Sequence, residues 1–264
     1  MTLVTKKSII SMDNKEYHIN VSPGDIAENV IICGDPARTK KIADHWQESN
    51  EISFNREYRI FVGKYHELPI AACSTGIGAP STAIGVEELY RCGARKIVRV
   101  GTSGSLQPEI PIGGIVNCIA AIRDEGTSLQ YVPLNFPAVA TPDIVLSIRQ
   151  AAKKHLGSDG FKRRYFEGIG HSKDAFYSET PNLIPDTTVA EKWKTWIRSG
   201  AMATEMENSV LFVLGSLRRG LQVGAIAAII GSTHDTTPIV DPKAGVGDAI
   251  KIALEALRNL PSNN

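Results

Sequence analysis

A chain of 264 residues that is 42% hydrophobic with a net charge of +1 is long enough for one sizeable core. It carries no electrostatic bias toward nucleic acid, an acidic partner or a membrane surface. No apolar run approaches the roughly 18 residues of a transmembrane helix and the first seven residues lack a signal-peptide core, so a small ligand and a cytoplasmic location are expected.

Strand-like and helix-like runs alternate along the whole chain. Val30-Ile31-Ile32-Cys33 reads as a strand leading into the turn Gly34-Asp35-Pro36-Ala37-Arg38. A second apolar run, Ile70-Ala71-Ala72-Cys73, leads into Ser74-Thr75-Gly76-Ile77-Gly78-Ala79-Pro80-Ser81. Residues 81–92 then place Ile84, Glu87, Glu88, Leu89 and Arg91 in an amphipathic helical pattern that Gly93 ends. Residues 97–100 form the next strand, completing a βαβ unit. Beyond it, 114–122 reads as a strand, 142–155 as a helix, 158–164 and 180–188 as loops, 208–219 as a helix, 223–230 as a buried strand and 246–260 as a packed C-terminal helix. This order predicts parallel pairing within one α/β domain spanning 1–264. The four cysteines, Cys33, Cys73, Cys92 and Cys118, fall in or beside apolar segments without CxxC spacing, so core thiols are expected rather than a disulfide or a structural zinc site.

Val98-Arg99-Val100-Gly101-Thr102-Ser103-Gly104-Ser105 is the most informative stretch. An apolar strand that stops at glycines and hydroxyls would present backbone N–H groups and a guanidinium at the carboxyl edge of a parallel sheet, where open α/β folds bind ligands. Arg99, in an otherwise apolar strand, has little reason to be there except a ligand. Arg38 adds a second planar fork suited to phosphate oxygens. Each Gly-rich segment is also readable as no more than a tight βα turn. Together, two of them with an arginine, they point to phosphate or a sugar phosphate. A dinucleotide is disfavoured because Gly34-Asp35-Pro36 stands where a GxGxxG turn would be needed.

Thr204-Glu205-Met206-Glu207-Asn208 places two carboxylates one residue apart at a strand-to-helix junction. If extended, both point to one side, and a carboxylate suits a cis-diol such as ribose. Acids at a helix N-terminus are the alternative explanation.

In this order, these segments resemble the nucleoside phosphorylase superfamily with a single-domain α/β subunit, and within it the uridine phosphorylase branch. The resemblance also rests on Asn55-Arg56-Glu57-Tyr58, Val86-Glu87-Glu88-Leu89, Asn135-Phe136-Pro137-Ala138-Val139 and Lys173-Asp174-Ala175-Phe176-Tyr177, and runs from about His18 to Leu260. It implies a three-layer α/β/α fold with a central mixed, mostly parallel sheet. The activity implied is phosphate-dependent cleavage of nucleosides to free base and (deoxy)ribose 1-phosphate, a pentosyltransferase reaction in nucleoside catabolism and salvage with uridine-type substrates preferred. A purine or methylthioadenosine phosphorylase, a water-using nucleosidase and a non-catalytic nucleoside-binding protein are the alternatives.

Carried over by residue, the resemblance implies that Gly34, Arg38, Arg99 and Thr102 hold phosphate, joined by Arg56 of a neighbouring subunit. His18, also from the neighbour, would meet the ribose 5′-hydroxyl, while Met206 and Glu207 hold the sugar. Ser103, Gly104 and Phe176 would line the base pocket. Arg99, Glu207 and Arg38 are thus the catalytic set. No cofactor is expected beyond inorganic phosphate as co-substrate, but Glu57, Ile77 and Ser81 match a monovalent-cation site, with K+ as its occupant, at the dimer interface. Shared sites imply a homo-oligomer, a dimer or a hexamer of dimers.

Base recognition departs from the branch. A Gln and an Arg usually follow the Phe-Tyr pair, but here Ser178-Glu179-Thr180-Pro181-Asn182-Leu183 follows Tyr177. Ser232-Thr233 stands near the position of a second arginine of that branch, and the acid of purine-specific members has only Asp235, beside His234, as a late candidate.

Overall fold

The structure, a computed structural model, describes residues 14–179, 187–232 and 240–261. The first strand, β1 (Asn29–Cys33), is buried along its length and runs into helix α1 (Pro36–Ala43). Asp35 caps that helix, its carboxylate accepting the Ala37 N–H at 2.8 Å, and Pro36 supplies a preset φ in the first turn. Asp35→Ala is therefore expected to cost about 1 kcal/mol of stability, read as a lower urea midpoint at unchanged slope. An unchanged midpoint would show the cap to be idle.

A meander follows: β2 (Glu48–Asn55), β3 (Tyr58–Tyr65) and β4 (Leu68–Ser74). After it come α2 (Ala79–Cys92), β5 (Lys96–Ser105), β6 (Ile115–Asp124) and the two-residue β7 (Ala138–Val139). The remaining elements are α3 (Pro142–Arg164), β8 (Tyr165–Lys173), α4 (Thr187–Arg198), β9 (Ala203–Glu205), α5 (Asn208–Leu217), β10 (Gln222–Ser232) and α6 (Val246–Asn259).

These strands make one mixed sheet flanked by helices, a single-domain α/β fold. Parallel pairings join β4 to β1, β1 to β5, β5 to β10, β6 to β8 and β8 to β9. The meander pairs antiparallel, as do β10 with β6 and β9 with β5. Because β5 pairs with both β10 and β9, the strands β5, β10, β6, β8 and β9 close into a ring. The carboxyl half of β5 lies in the wall of that ring.

Strand alternation divides the core. Val30, Ile32 and Ile97 pack with α2 and α5 on one face, whereas Ile31, Cys33, Val98 and Val100 pack with α1, α3 and α6 on the other. Arg99, between Val98 and Val100, is thereby turned toward the α5 side. Cys33, Cys73, Cys92 and Cys118 are all buried free thiols. Among the described residues no helix is long and apolar enough to cross a membrane.

Three expectations about the chain are corrected. The strand carrying Arg99 does not stop at Gly101; it continues to Ser105, held by pairing with β10 throughout and with β9 at its end. Residues 158–164 are helical rather than a loop, since α3 resumes after a break at Gly157 (φ 67°) and delivers Arg164 to Asp248 of α6 at 2.6 Å. Thr187 and Thr188, assigned to a loop, open α4, while 180–186 lie outside the described residues.

Candidate active site

The guanidinium of Arg99 is buried, with the residue only 4% exposed, and it is bracketed by acids. Its Nη2 donates to Glu207 Oε2, its Nη1 lies 3.3 Å from Glu205 Oε2, and Nη1 also donates to Asn208 Oδ1 at 3.4 Å. Gly101 makes room for this, because a Cβ there would overlap the Arg99 guanidinium. Burial works against the charge, yet Glu207 and Glu205 outweigh it and raise the arginine's pKa. The expectation that only a ligand explains Arg99 is thus corrected: three protein side chains engage it. They do not saturate it, for Nε is buried without a hydrogen-bond partner.

Glu207 occupies the position just before α5. Its Oε1 accepts the Gly78 N–H at 2.6 Å, tying the 74–81 loop to the start of α5. Gly78 has φ +101°, a conformation that side chains rarely adopt, so glycine is what lets this N–H face the carboxylate. Glu205 stands behind, accepting the N–H groups of Glu207 at 2.8 Å and Asn208 at 2.9 Å through Oε2 and the hydroxyl of Ser172 through Oε1. The two carboxylates do reach one side, where both meet Arg99, and Glu205 also serves the helix N-terminus.

Arg38 reaches the same region from α1, donating to the Val100 carbonyl at 3.2 Å. Burial, with Arg99 adding repulsion, lowers its pKa. Beside it, burial pushes the Cys33 thiol up to about 12 despite the pull of Arg38, so this thiol stays protonated near neutrality. Gly34 sits against the second loop, its Cα facing the Gly76 carbonyl closely enough that an added Cβ would come within 3.1 Å. Ser103 Oγ is buried without a hydrogen-bond partner next to half-buried Thr102 and Gly104 on β5, and Met206 is half-buried between the two acids.

None of the other expected residues is hydrogen-bonded to Arg99 or Glu207. Arg56 is exposed in the β2–β3 turn with its guanidinium 5.9 Å from the centre of the Tyr17 ring. His18 is on the same patch, its ring edge-on to Tyr17 and its Nδ1 2.6 Å from Glu88 of α2. Glu88 also accepts the backbone N–H groups of His18 and Ile19. Glu57 and Ser81 come together around Gly76, and Ile77 between them is 78% exposed. Phe176 is 57% exposed, packed edge-on against Tyr177 and under the Lys173 ammonium. Asp235 and His234, with Thr233, lie outside the described residues, as does the Thr180 to Leu183 segment. A cavity of about 460 Å³ lined by Arg123, Asp124, Phe136, Lys192 and Trp196 contains none of the expected site residues.

Glu205, which the acidic pair singles out but to which the resemblance assigns no role, joins Asn208 and Ser172 in this site. The spacing of Glu205 and Glu207 was the available signal for the first. Nothing local marks Ser172, which arrives on a different strand.

Fold and geometry define an α/β protein with a buried arginine–carboxylate centre beside two Gly-rich turns. The profile of the Phosphorylase superfamily matches residues 28–260, and the chain belongs to that family. It is 43% identical to uridine phosphorylase of Treponema pallidum, covering 93% of this chain and 94% of the relative. Guanosine phosphorylase of Halorubrum lacusprofundi is 35% identical over 93% of this chain and 99% of its own. The crystal structure of uridine phosphorylase from Vibrio fischeri superposes with a TM-score of 0.82 at 33% identity, covering 95% of this chain and all of that one.

Proposed function

We propose that this enzyme is a nucleoside phosphorylase that cleaves the N-glycosidic bond with inorganic phosphate, releasing free base and pentose 1-phosphate, with uridine-type nucleosides preferred. The observation that carries this reading is the buried Arg99 with an unpartnered Nε beside Glu207, on a strand that Arg38 also meets. The names of the Treponema pallidum and Vibrio fischeri relatives agree with it.

Arg38 and Arg99, with Gly34 and Thr102, hold phosphate beneath the anomeric carbon. Glu207 accepts the ribose 2′- and 3′-hydroxyls through lone pairs left over from Gly78 and Arg99, and Met206 packs against the sugar. Holding nucleophile and sugar in register removes much of the entropic barrier, and the Glu207 charge favours the cationic sugar of an oxocarbenium-like transition state. Ser103, Gly104 and Phe176 face the base. His18 and Arg56 serve the neighbouring subunit's site, which makes the working unit a dimer and its assembly a hexamer. Glu57, Ile77 and Ser81 would bind K+ at that interface. Cytoplasmic nucleoside salvage is the setting this chemistry fits.

Base choice has a second reading, because the usual uracil readers are absent after Tyr177 and a guanosine phosphorylase is among the relatives. Turnover of uridine, thymidine, inosine, adenosine and methylthioadenosine, with and without phosphate, separates the two. We expect uridine to lead, to require phosphate and to yield ribose 1-phosphate. Equal turnover in phosphate-free buffer with free ribose as product would make the enzyme a nucleosidase.

A further inference from the structure

We propose that Glu205 is a proton-accepting positioning residue, and that the site takes up a proton there when a dianion settles on Arg99 and Arg38. The inference rests on the phosphate-site reading above and adds a regulation of that site by pH.

The charge balance around Arg99 motivates it. Arg99 faces Glu205 and Glu207, and Arg38 lies near Glu207 and Asp35, so acids already balance the charge of the two guanidiniums. A phosphate dianion would leave two surplus negative charges in a buried setting, where like charges repel far more than in water. Even an arginine from a neighbouring subunit offsets only one of them. One proton on a carboxylate offsets the other.

Glu205 is placed to take it. Glu207 is held by Arg99 and the Gly78 N–H and faces the sugar in the reading above, whereas Glu205 touches no ligand position. The groups around Glu205 are Arg99 from β5, Glu207 and Asn208 from the α5 start, Ser172 from β8 and Cys118 from β6. Beyond Ser172, the Ser209 hydroxyl leads on to the buried carboxylate of Glu125 at 2.9 Å, while His171 on β8 is paired with Thr204 and Asp124. Cys118, pushed up to about 12 by burial, does not compete for the proton. Protonated, Oε1 of Glu205 can donate to Ser172 Oγ, which already accepts the Ser209 N–H, while Oε2 keeps its two backbone N–H bonds. No backbone need move. Burial and the adjacent Glu207 already push Glu205 up to about 7, so proton uptake falls within the working range.

The test uses sulfate, a dianion with no proton of its own to exchange near neutrality, in titration calorimetry across buffers of different ionisation enthalpy. At pH 7.5 we expect roughly half to one proton taken up per sulfate, falling toward zero near pH 5.5. With one proton linked, sulfate affinity above pH 7 falls by up to about tenfold per pH unit. In Glu205→Gln, which mimics the protonated acid, uptake should vanish and affinity should change less than about twofold between pH 6 and 8. Ser172→Ala removes a donor to the ionised form, so its uptake profile should move to higher pH. Sulfate binding by the wild type without uptake overturns the proposal. So does uptake that persists in Glu205→Gln, or an unmoved profile in Ser172→Ala. If neither sulfate nor phosphate binds, the phosphate-site reading itself fails, an outcome distinct from binding without protons.

Discussion

Replacing Arg99 by alanine is expected to lower kcat/KM for phosphorolysis by roughly two to three orders of magnitude, the scale for losing one preorganised electrostatic partner of a transition state. Two effects add. The phosphate loses a guanidinium whose Nε has no protein partner, and Glu207 loses the partner that orients it toward the sugar. Two buried carboxylates are then left facing each other, so Arg99→Ala should also bind a proton and lose stability. Arg99→Lys separates the contributions, because lysine keeps the charge but cannot span Glu205 and Glu207 with a planar fork. We expect it to recover stability more fully than activity. Near-wild-type phosphate kinetics in a folded Arg99→Ala variant would remove this residue from the site.

Mixing an inactive Arg56→Ala variant with an inactive Glu207→Ala variant should restore activity from near zero. Arg56 is exposed on a patch with Tyr17 and His18, whereas Glu207 is buried against Arg99. If Arg56 completes a neighbour's site while Glu207 serves its own, each mixed dimer holds one doubly damaged site and one intact site. Activity then tracks the fraction of mixed dimers, measured on the same co-expressed sample. Mixed dimers that form and stay as inactive as either parent would place both residues in one site, or make one of them purely structural.

Much of the site is legible as short segments. The turn after β1 announces itself by Asp35 and Pro36, the end of α2 by Gly93, and the two acids before α5 by their spacing. Each of these signals acts over a turn or less, the range in which side chains bias their own backbone. The glycines after Val100 misled for the same reason. Read locally they stop a strand; in the fold, pairing with β10 carries β5 through them, and Gly101 accommodates a guanidinium instead of a turn.

What the amino-acid sequence by itself determined is the alternation of strands and helices, the apolar faces that bury them, and the residue types able to hold an anion and a diol. Only the tertiary structure decided that Arg99 meets Glu207, 108 residues further along the chain, that Ser172 reaches Glu205 from another strand, and that β5 closes a ring with β10 and β9. Periodicity and capping are properties of neighbouring residues. Which charge faces which is settled by sheet register and strand order, and those follow from burying the whole core at once.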